Sequence, residues 1–339
     1  MEMRMQSESR EQSQSLPAVK DKRSLQHATC QLREPTRSER LFAVSVLAAC
    51  FAVWAKFTLA NDGDMSAMHT WKTPASITAG YLVSIPTLRY AVKDSKVDMK
   101  ALLMECMVLY NAAQVVLNGW MVYSFVSQVL FHGHPFVGSV RASGCLFPVW
   151  VHYMDKYLEF FDTWFMVLRG RNDQVSFLHV YHHTTIAWAW WAALCVYPGG
   201  DSYFGALLNS WIHVMMYSYY CLALLGIKCP WKKYLTMSQL AQFTAVVIYS
   251  VLSYKYLPDD ERTASHYMAY AIQVGEMTSL FVLFTHFYRK SYVKRERING
   301  KEKGYDDECQ KAVTNAIESS AQVTGLVRKA AGKSYNRVQ

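Results

Sequence analysis

The chain reads as an all-α membrane protein built around a single membrane domain, and two features carry that reading. The 339 residues are 52% hydrophobic and only 18% charged, whereas a soluble protein of this length carries nearer a quarter charged residues. The apolar residues also come in blocks of roughly 20 or more, long enough to cross a hydrocarbon layer of about 30 Å. A spanning segment must satisfy its backbone hydrogen bonds internally, so each block is a helix.

Taken in order, the blocks cover residues 41–59, 75–92, 101–130, 146–168, 177–196, 204–225, 234–257 and 267–288. The first is about as short as a span can be and carries Lys56, so seven and eight spans both remain open. Arg89 ends the second block with Lys93, Lys96 and Lys100 after it, and Arg169 and Arg171 follow the fourth. Lys228, Lys232 and Lys233 follow the sixth, and Arg289, Lys290, Lys294, Arg295 and Arg297 follow the last. The alternate connections are poor in positive charge: 131–145 holds only Arg141, 197–203 holds none, and 258–266 is net acidic. By the positive-inside rule the first set of connections and the C-terminus are cytosolic. Residues 1–40, rich in Ser and Gln and mixed in charge, read as a disordered extension. Residues 41–74 read as an extra span with its linker, 75–292 as the membrane domain, and 293–339 as a basic cytosolic tail.

The net charge of +9 follows this topology and does not mark a nucleic-acid footprint. Eight cysteines are scattered without a Cys-x-x-Cys pair. Most lie in apolar blocks, where cysteine behaves as a small hydrophobe. A bridge between Cys145 and Cys195 stays open at this point. No Asn-x-Ser/Thr acceptor occurs, so glycosylation gives no topological clue.

Ionisable side chains inside apolar helices mark functional sites, and here they are grouped. In the fourth block Lys156, Glu159, Asp162 and Thr163 fall at i, i+3, i+6 and i+7, one helical stripe. The fifth opens with His179, His182 and His183 at i, i+3 and i+4, which puts three imidazoles on one face. The sixth holds Asn209, His213, Tyr217, Tyr219 and Tyr220, and the seventh opens with Gln239 and Gln242. Such stripes face a shared interior. By helical rise, the groups cluster toward the cytosolic side, with His213 deeper and apolar walls continuing beyond. This shape suits an amphipathic substrate with a polar head in the cytosol and a long hydrocarbon tail. Each group also has a plain structural reading. Lys156 and Glu159 would serve as an ion pair between helices, the glutamines as interhelical hydrogen bonds, and the tyrosines as packing aromatics. Trp188, Trp190 and Trp191 are equally suited to tunnel walls and to lipid-facing anchors. The histidine triple is a poor packing choice.

A His-x-x-His-His string also occurs in membrane di-iron desaturases and hydroxylases. Those need several such boxes, and this chain has one box among 11 histidines. A di-iron site would lack ligands, so no metal is assigned. A non-enzymatic seven-helix transporter would explain the topology, but not the histidines beside an acidic stripe.

The segments K-Y-L-E-F-F-D-T (156–163), F-L-H-V-Y-H-H-T (177–184), N-S-W-I-H-V-M-M-Y-S-Y-Y (209–220) and T-M-S-Q-L-A-Q-F (236–243) resemble the four signature boxes of the ELO family. These are fatty-acid elongases of the endoplasmic reticulum. The boxes match in type, order and spacing, over about residues 75–292. The first stretch of the histidine box and G-I-K-C-P-W-K-K-Y (226–234) look most like algal and protist elongases of polyunsaturated chains.

The resemblance implies a seven-helix ELO-type bundle, six helices surrounding an acyl tunnel, with the 74 N-terminal residues as an addition. It implies condensation of a long-chain acyl-CoA with malonyl-CoA to 3-ketoacyl-CoA, CoA and CO₂. Malonyl-CoA is then a co-substrate, and no cofactor is bound. A ketoacyl reductase, a dehydratase and an enoyl reductase would complete the cycle, with membrane lipid around the protein and a homodimer as a further expectation. His182 would accept the acyl group or act as a general base, with His179, His183 and Asp162 around it. His213 and Asn209 would stabilise the enolate and thioester oxygens, and Lys156 and Glu159 would organise the pocket. Tyr217, Tyr220, Gln239 and Gln242 would line the substrate. Lys232, Lys233 and Arg289 are candidates for the CoA phosphates from cytosolic charge alone. The C-terminal Asn336-Arg337-Val338-Gln339 lacks the dilysine retrieval signal many members carry.

Overall fold

The computed structural model describes residues 32–61 and 70–289. The expectations for the rest of the N-terminal extension, for the linker over 62–69 and for the C-terminal tail lie outside the described residues. Within them every apolar block is helical. The helices are α1 (Arg37–Asn61), α2 (Lys72–Val92), a single turn α3 (Met99–Leu102), α4 (Met104–Phe131), α5 (Ser143–Leu158), α6 (Phe160–Leu168), α7 (Phe177–Val196), α8 (Ser202–Leu224), α9 (Lys232–Tyr256) and α10 (Ala264–Tyr288).

Six rows of helix close into a ring. α4 packs on α5, α5 on α7, α7 on α10, α10 on α9, α9 on α8, and α8 returns along α4. α2 lies outside the ring against α6 and α7, and α1 lies outside it against α4 and α5. Inside, Val149, Trp150 and Tyr153 of α5 pack with Trp190 of α7, Phe243 of α9 and Leu280 of α10. This is the expected six-helix ring with one additional helix before the minimal bundle.

That additional helix was the weakest of the expected spans, yet it is well formed. By length and composition α1, α9 and α10 are suited to cross a membrane, and α1 has the most apolar window of the three, with mean hydropathy 1.9. Lys56 sits on its exposed face. Two indoles tie α1 to α5: Trp54 donates to the carbonyl of Met154 at 2.9 Å, and Trp150 donates to the carbonyl of Thr58 at 3.0 Å. The last residues of the extension expected over 1–40 fall among the described residues and are ordered. The backbone of Arg33 pairs with Lys96 and Asp98, and its guanidinium bridges to Glu39 at 2.7 Å.

The fourth block is one run in sequence but two helices in space. α5 ends at Leu158 and α6 starts at Phe160, with Glu159 between them. The amide of Asp162 reaches the carbonyl of Glu159 at 3.1 Å, three residues back. This tight turn shifts the phase of the residues beyond it. Cys145 and Cys195 are both free thiols, so the bridge left open by the sequence is not formed.

The end of the ring remote from the histidines is closed by polar contacts. Asp201, buried at the start of α8, accepts from the amides of Gly138 and Ser139 at 2.9 and 3.0 Å and from the hydroxyl of Ser253. Gly199 has φ +72°, and an added Cβ there would meet the carbonyl of Ala142 at 2.3 Å. Only glycine fits both that conformation and that approach.

Candidate active site

The site is assembled where α5, α6, α7 and α8 meet. Ser176 starts α7 by accepting the amide of His179 at 3.2 Å, a side-chain cap that fixes where the helix begins. The next turn carries the three imidazoles together. The ring centroids of His179 and His183 are 4.5 Å apart, and those of His182 and His183 are 5.3 Å apart. His183 is buried against Tyr81 and Phe160.

α6 and α8 run in the same direction, and three rungs join them across the α5–α6 turn. Lys156 donates to the side-chain oxygen of Asn209 at 2.9 Å. Glu159 pairs with Lys156, and its carboxylate lies 3.0 Å from Nδ1 of His213. That imidazole is close to the carboxylate but off the hydrogen-bond line, since Nδ1 has no well-directed partner. Asp162 accepts the hydroxyl of Tyr217 at 2.8 Å. The rungs step by three residues on one side and by four on the other, which are the two helical spacings that keep a residue on one face.

Thr163, the fourth member of the stripe, leaves the others. Past the turn it points to α7 and α2, where its hydroxyl lies 2.8 Å from Nε2 of His179 and 2.8 Å from the hydroxyl of Tyr81. The stripe expected to face one interior therefore ties two sides of the bundle. Sequence reasoning also set Asp162 beside His182, and the structure gives Asp162 to Tyr217 instead.

Behind Lys156 and Glu159 lies a set of polar residues that the sequence reading passed over. Asp155, wholly buried, accepts from Gln114 at 2.9 Å and from Asn118 at 3.4 Å. Asn118 also donates to the side-chain oxygen of Gln114 at 3.0 Å. The signal was present: Asn111, Gln114 and Asn118 recur at helical spacing inside an apolar block. All three are buried. Asp155, Glu159 and His213 are the trio of potential metal donors that comes together among the described residues, within 4.8 Å of one another. The ammonium of Lys156 already supplies their positive charge. The histidine box contributes none of these three donors.

His182 lines two cavities. On the side of the basic connections a vestibule is lined by Glu159, Asp162, His179, His183, His213, Tyr217, Tyr220 and Gln239, together with His182. The second cavity, a narrow tunnel also lined by His182, runs between α7, α8, α9 and α10, past Asn209, Gln242, Trp190 and Glu276 to Tyr197 and Asp201. Along α7, from His182 to Tyr197, the tunnel is roughly 22 Å long. Gln239 and Gln242, one turn apart on α9, line one cavity each. Trp190 is a tunnel wall, in edge contact with His152. Trp188 instead bonds Thr78 of α2 at 3.1 Å and packs against Trp191. Lys232 begins α9, with Lys233 next, and exposed Arg289 follows α10; all three sit at the vestibule end of the ring.

The comparisons with known proteins agree with this architecture. A model of the ELO: GNS1/SUR4 family matches residues 66–300. "Very long chain fatty acid elongase 5" of Rattus norvegicus is 36% identical over 232 residues, covering 65% of this chain and 76% of the relative. "Very long chain fatty acid elongase 7" of Drosophila melanogaster is 34% identical over 245 residues, covering 67% and 69%. "Very long chain fatty acid elongase 4" of Mus musculus is 35% identical over 230 residues, covering 63% and 68%. With a helical ring, a histidine-lined vestibule and a family match over most of its length, the chain belongs to the ELO family of fatty-acid elongases.

Proposed function

We propose that the protein is the condensing enzyme of a fatty-acid elongation cycle. It joins a long-chain polyunsaturated acyl-CoA to malonyl-CoA, giving 3-ketoacyl-CoA, CoA and CO₂. The observation that carries this reading is the position of His182, at the boundary between a polar vestibule and a tunnel roughly 22 Å long. An acyl chain held in the tunnel brings its thioester carbon to that imidazole, and the CoA remains on the vestibule side.

In this reading a ring nitrogen of His182 attacks the thioester carbonyl. An N–C bond forms, the C–S bond breaks, and the CoA sulfur leaves and takes up a proton. Malonyl-CoA then loses CO₂, and the electron pair of the broken C–C bond becomes an enolate. The enolate carbon attacks the acyl carbon, and the imidazole departs with its electron pair. The overall reaction consumes one proton, which ends on CoA. His213, beside Glu159, and Asn209, held by Lys156, are placed to stabilise the enolate and thioester oxygens, as donors do best in a site closed to water. His179, fixed by Thr163, and buried His183 keep the neighbouring rings in place. Tyr217, Tyr220, Gln239 and Gln242 line the substrate path, and Lys232, Lys233 and Arg289 meet the CoA phosphates.

The charge pattern supports a cytosolic vestibule and C-terminus, and membership of the family supports the endoplasmic reticulum membrane. Reduction, dehydration and a second reduction then fall to partner enzymes.

The deciding experiment gives purified protein radiolabelled malonyl-CoA and a panel of long-chain acyl-CoAs, beside His182→Ala. Ketoacyl product from the parent and none from the variant is the expected result. A folded parent that makes no product with any acyl-CoA would sink the proposal. Intact-protein mass after acyl-CoA alone then distinguishes an acyl-imidazole from general-base catalysis.

A further inference from the structure

Outside the ring lies an apolar groove that the condensation does not use. α1 packs on α4 and α5, and α2 packs on α6 and α7, with the groove between them. Phe161, Phe165 and Leu168 of α6 form its floor, at i, i+4 and i+7 on one helical face. Its outer wall is Phe42, Val46 and Cys50 of α1, all exposed and one turn apart. The family match begins at residue 66, so this wall belongs to the added helix and not to the matched bundle.

The groove starts at one bilayer surface and stops about halfway across. On α1 it runs from Ser38 to Cys50, twelve residues on, or roughly 18 Å along the axis. Leu88, Leu102 and Leu168, near the ends of α2, α3 and α6 beside the basic connections, place its mouth on that side. A hydrocarbon layer is about 30 Å thick, so the groove spans about one leaflet. That is the reach of one lipid tail, and too short for a crossing helix.

Charge selects the head group. The mouth is flanked by Arg37, next to Ser38, by Lys100, two residues before Leu102, and by Arg169, next to Leu168. None of the ion pairs among the described residues uses these three, whereas Arg33, Arg40 and Arg171 each hold a carboxylate. Glu39, which lines the mouth, is already taken by Arg33. Three uncommitted cations above an apolar slot one leaflet deep complement a lipid phosphate that carries no ammonium of its own.

We propose that the groove between α1 and α2 binds one anionic phospholipid of the adjoining leaflet. Its tail lies on α6 and its phosphate among Arg37, Lys100 and Arg169. Asp162 and Thr163 leave α6 on its other sides, toward Tyr217 and His179, so the bound tail backs the helix that carries them. Binding at this groove does not depend on the condensing reading.

The test uses the full chain, delipidated in neutral detergent, with phosphatidylglycerol and phosphatidylcholine of identical tails as probes. Native mass spectrometry counts bound lipid, thermal unfolding reads its effect, and maleimide alkylation of Cys50 reads occupancy of the groove. Phosphatidylglycerol gives a one-to-one adduct, raises the melting temperature and slows alkylation of Cys50. Phosphatidylcholine binds roughly tenfold more weakly. Arg37→Gln/Lys100→Gln removes most of that preference. Val46→Trp fills the groove and abolishes the adduct with either lipid. Should that variant not fold, protection of Cys50 in the parent decides occupancy instead. Equal affinity of the parent for both lipids overturns the proposal, leaving ordinary annular lipid. An adduct that persists in Val46→Trp overturns it too, as does an acyl-CoA that displaces phosphatidylglycerol from Cys50. If deleting residues 1–31 increases lipid binding, the chain's own extension is the occupant and the proposal fails. A parent that catalyses no condensation removes the condensing reading alone, because none of these readouts needs turnover.

Discussion

Tyr217 and Asp162 form the outermost rung between α6 and α8, the phenol donating to the carboxylate at 2.8 Å with Tyr110 3.4 Å from the same hydroxyl. A carboxylate at the vestibule thereby takes a well-formed hydrogen bond from a phenol in the neighbouring helix. Tyr217→Phe keeps the ring in its packed place and removes the donor. The variant should lose about 1 kcal/mol of stability, the net worth of a half-buried hydrogen bond. Thermal unfolding in detergent reads it, with condensation rate measured alongside. An unaltered melting temperature would mean that Asp162 finds another donor.

Lys156 and Glu159 are both about 1% exposed and paired. Removing one charge strands the other, so Lys156→Met should destabilise by about 3–5 kcal/mol. The double variant Lys156→Met/Glu159→Leu should recover most of that loss, because an apolar pair of similar volume carries no buried charge. It should nonetheless make no ketoacyl product, since Asn209 and His213 lose the partners that position them. A fully active double variant would reduce the pair to a packing role.

Thr163 holds Tyr81 and His179 at once. Thr163→Val matches it in shape and leaves two polar groups without their shared partner. Condensation should fall at least tenfold, with about 1–3 kcal/mol lost in stability. Thr163→Ser should retain most activity. If valine and serine behave alike in the rate assay, the link to His179 has no catalytic consequence.

Closure of the far end predicts a contrast among glycines. An added Cβ at Gly200 would meet the carbonyl oxygens of Ser139 and Val140 at 2.2 and 2.3 Å, whereas at Gly119, inside α4, it would meet nothing within 4 Å. Gly200→Ala should fail to yield folded protein, judged by monodispersity in detergent. Gly119→Ala should be as stable as the parent or more so by about 0.5–1 kcal/mol, because alanine suits a helix interior. Comparable yields of both would show that the loop at 138–142 gives way.

The apolar blocks set the helices because a spanning backbone has no other way to satisfy its hydrogen bonds. The residues of the site were legible for a related reason: polar side chains inside such blocks are few, so His179, His182, His183, Lys156, Glu159 and His213 stand out in the sequence alone. Gln114 and Asn118 were passed over because uncharged amides in an apolar run look like ordinary interhelical glue. Glu276 was passed over because a lone carboxylate far from the boxes carries no pattern.

Partnerships, by contrast, were decided in three dimensions. The turn at Glu159 rotates the start of α6 relative to α5, so Thr163 goes to His179 and Tyr81 while Asp162 goes to Tyr217. No periodicity counted along one continuous helix contains that rotation. The placement of His182 against two cavities, and of Glu276 in the wall of one, needed four helices from distant parts of the chain to close around the same space. Sequence by itself determined which segments form apolar helices and which residues are too polar to be there without purpose. Only the packed ring determined which of those residues touch, because side-chain direction at a contact depends on helix phase and crossing, and both are set by the neighbours.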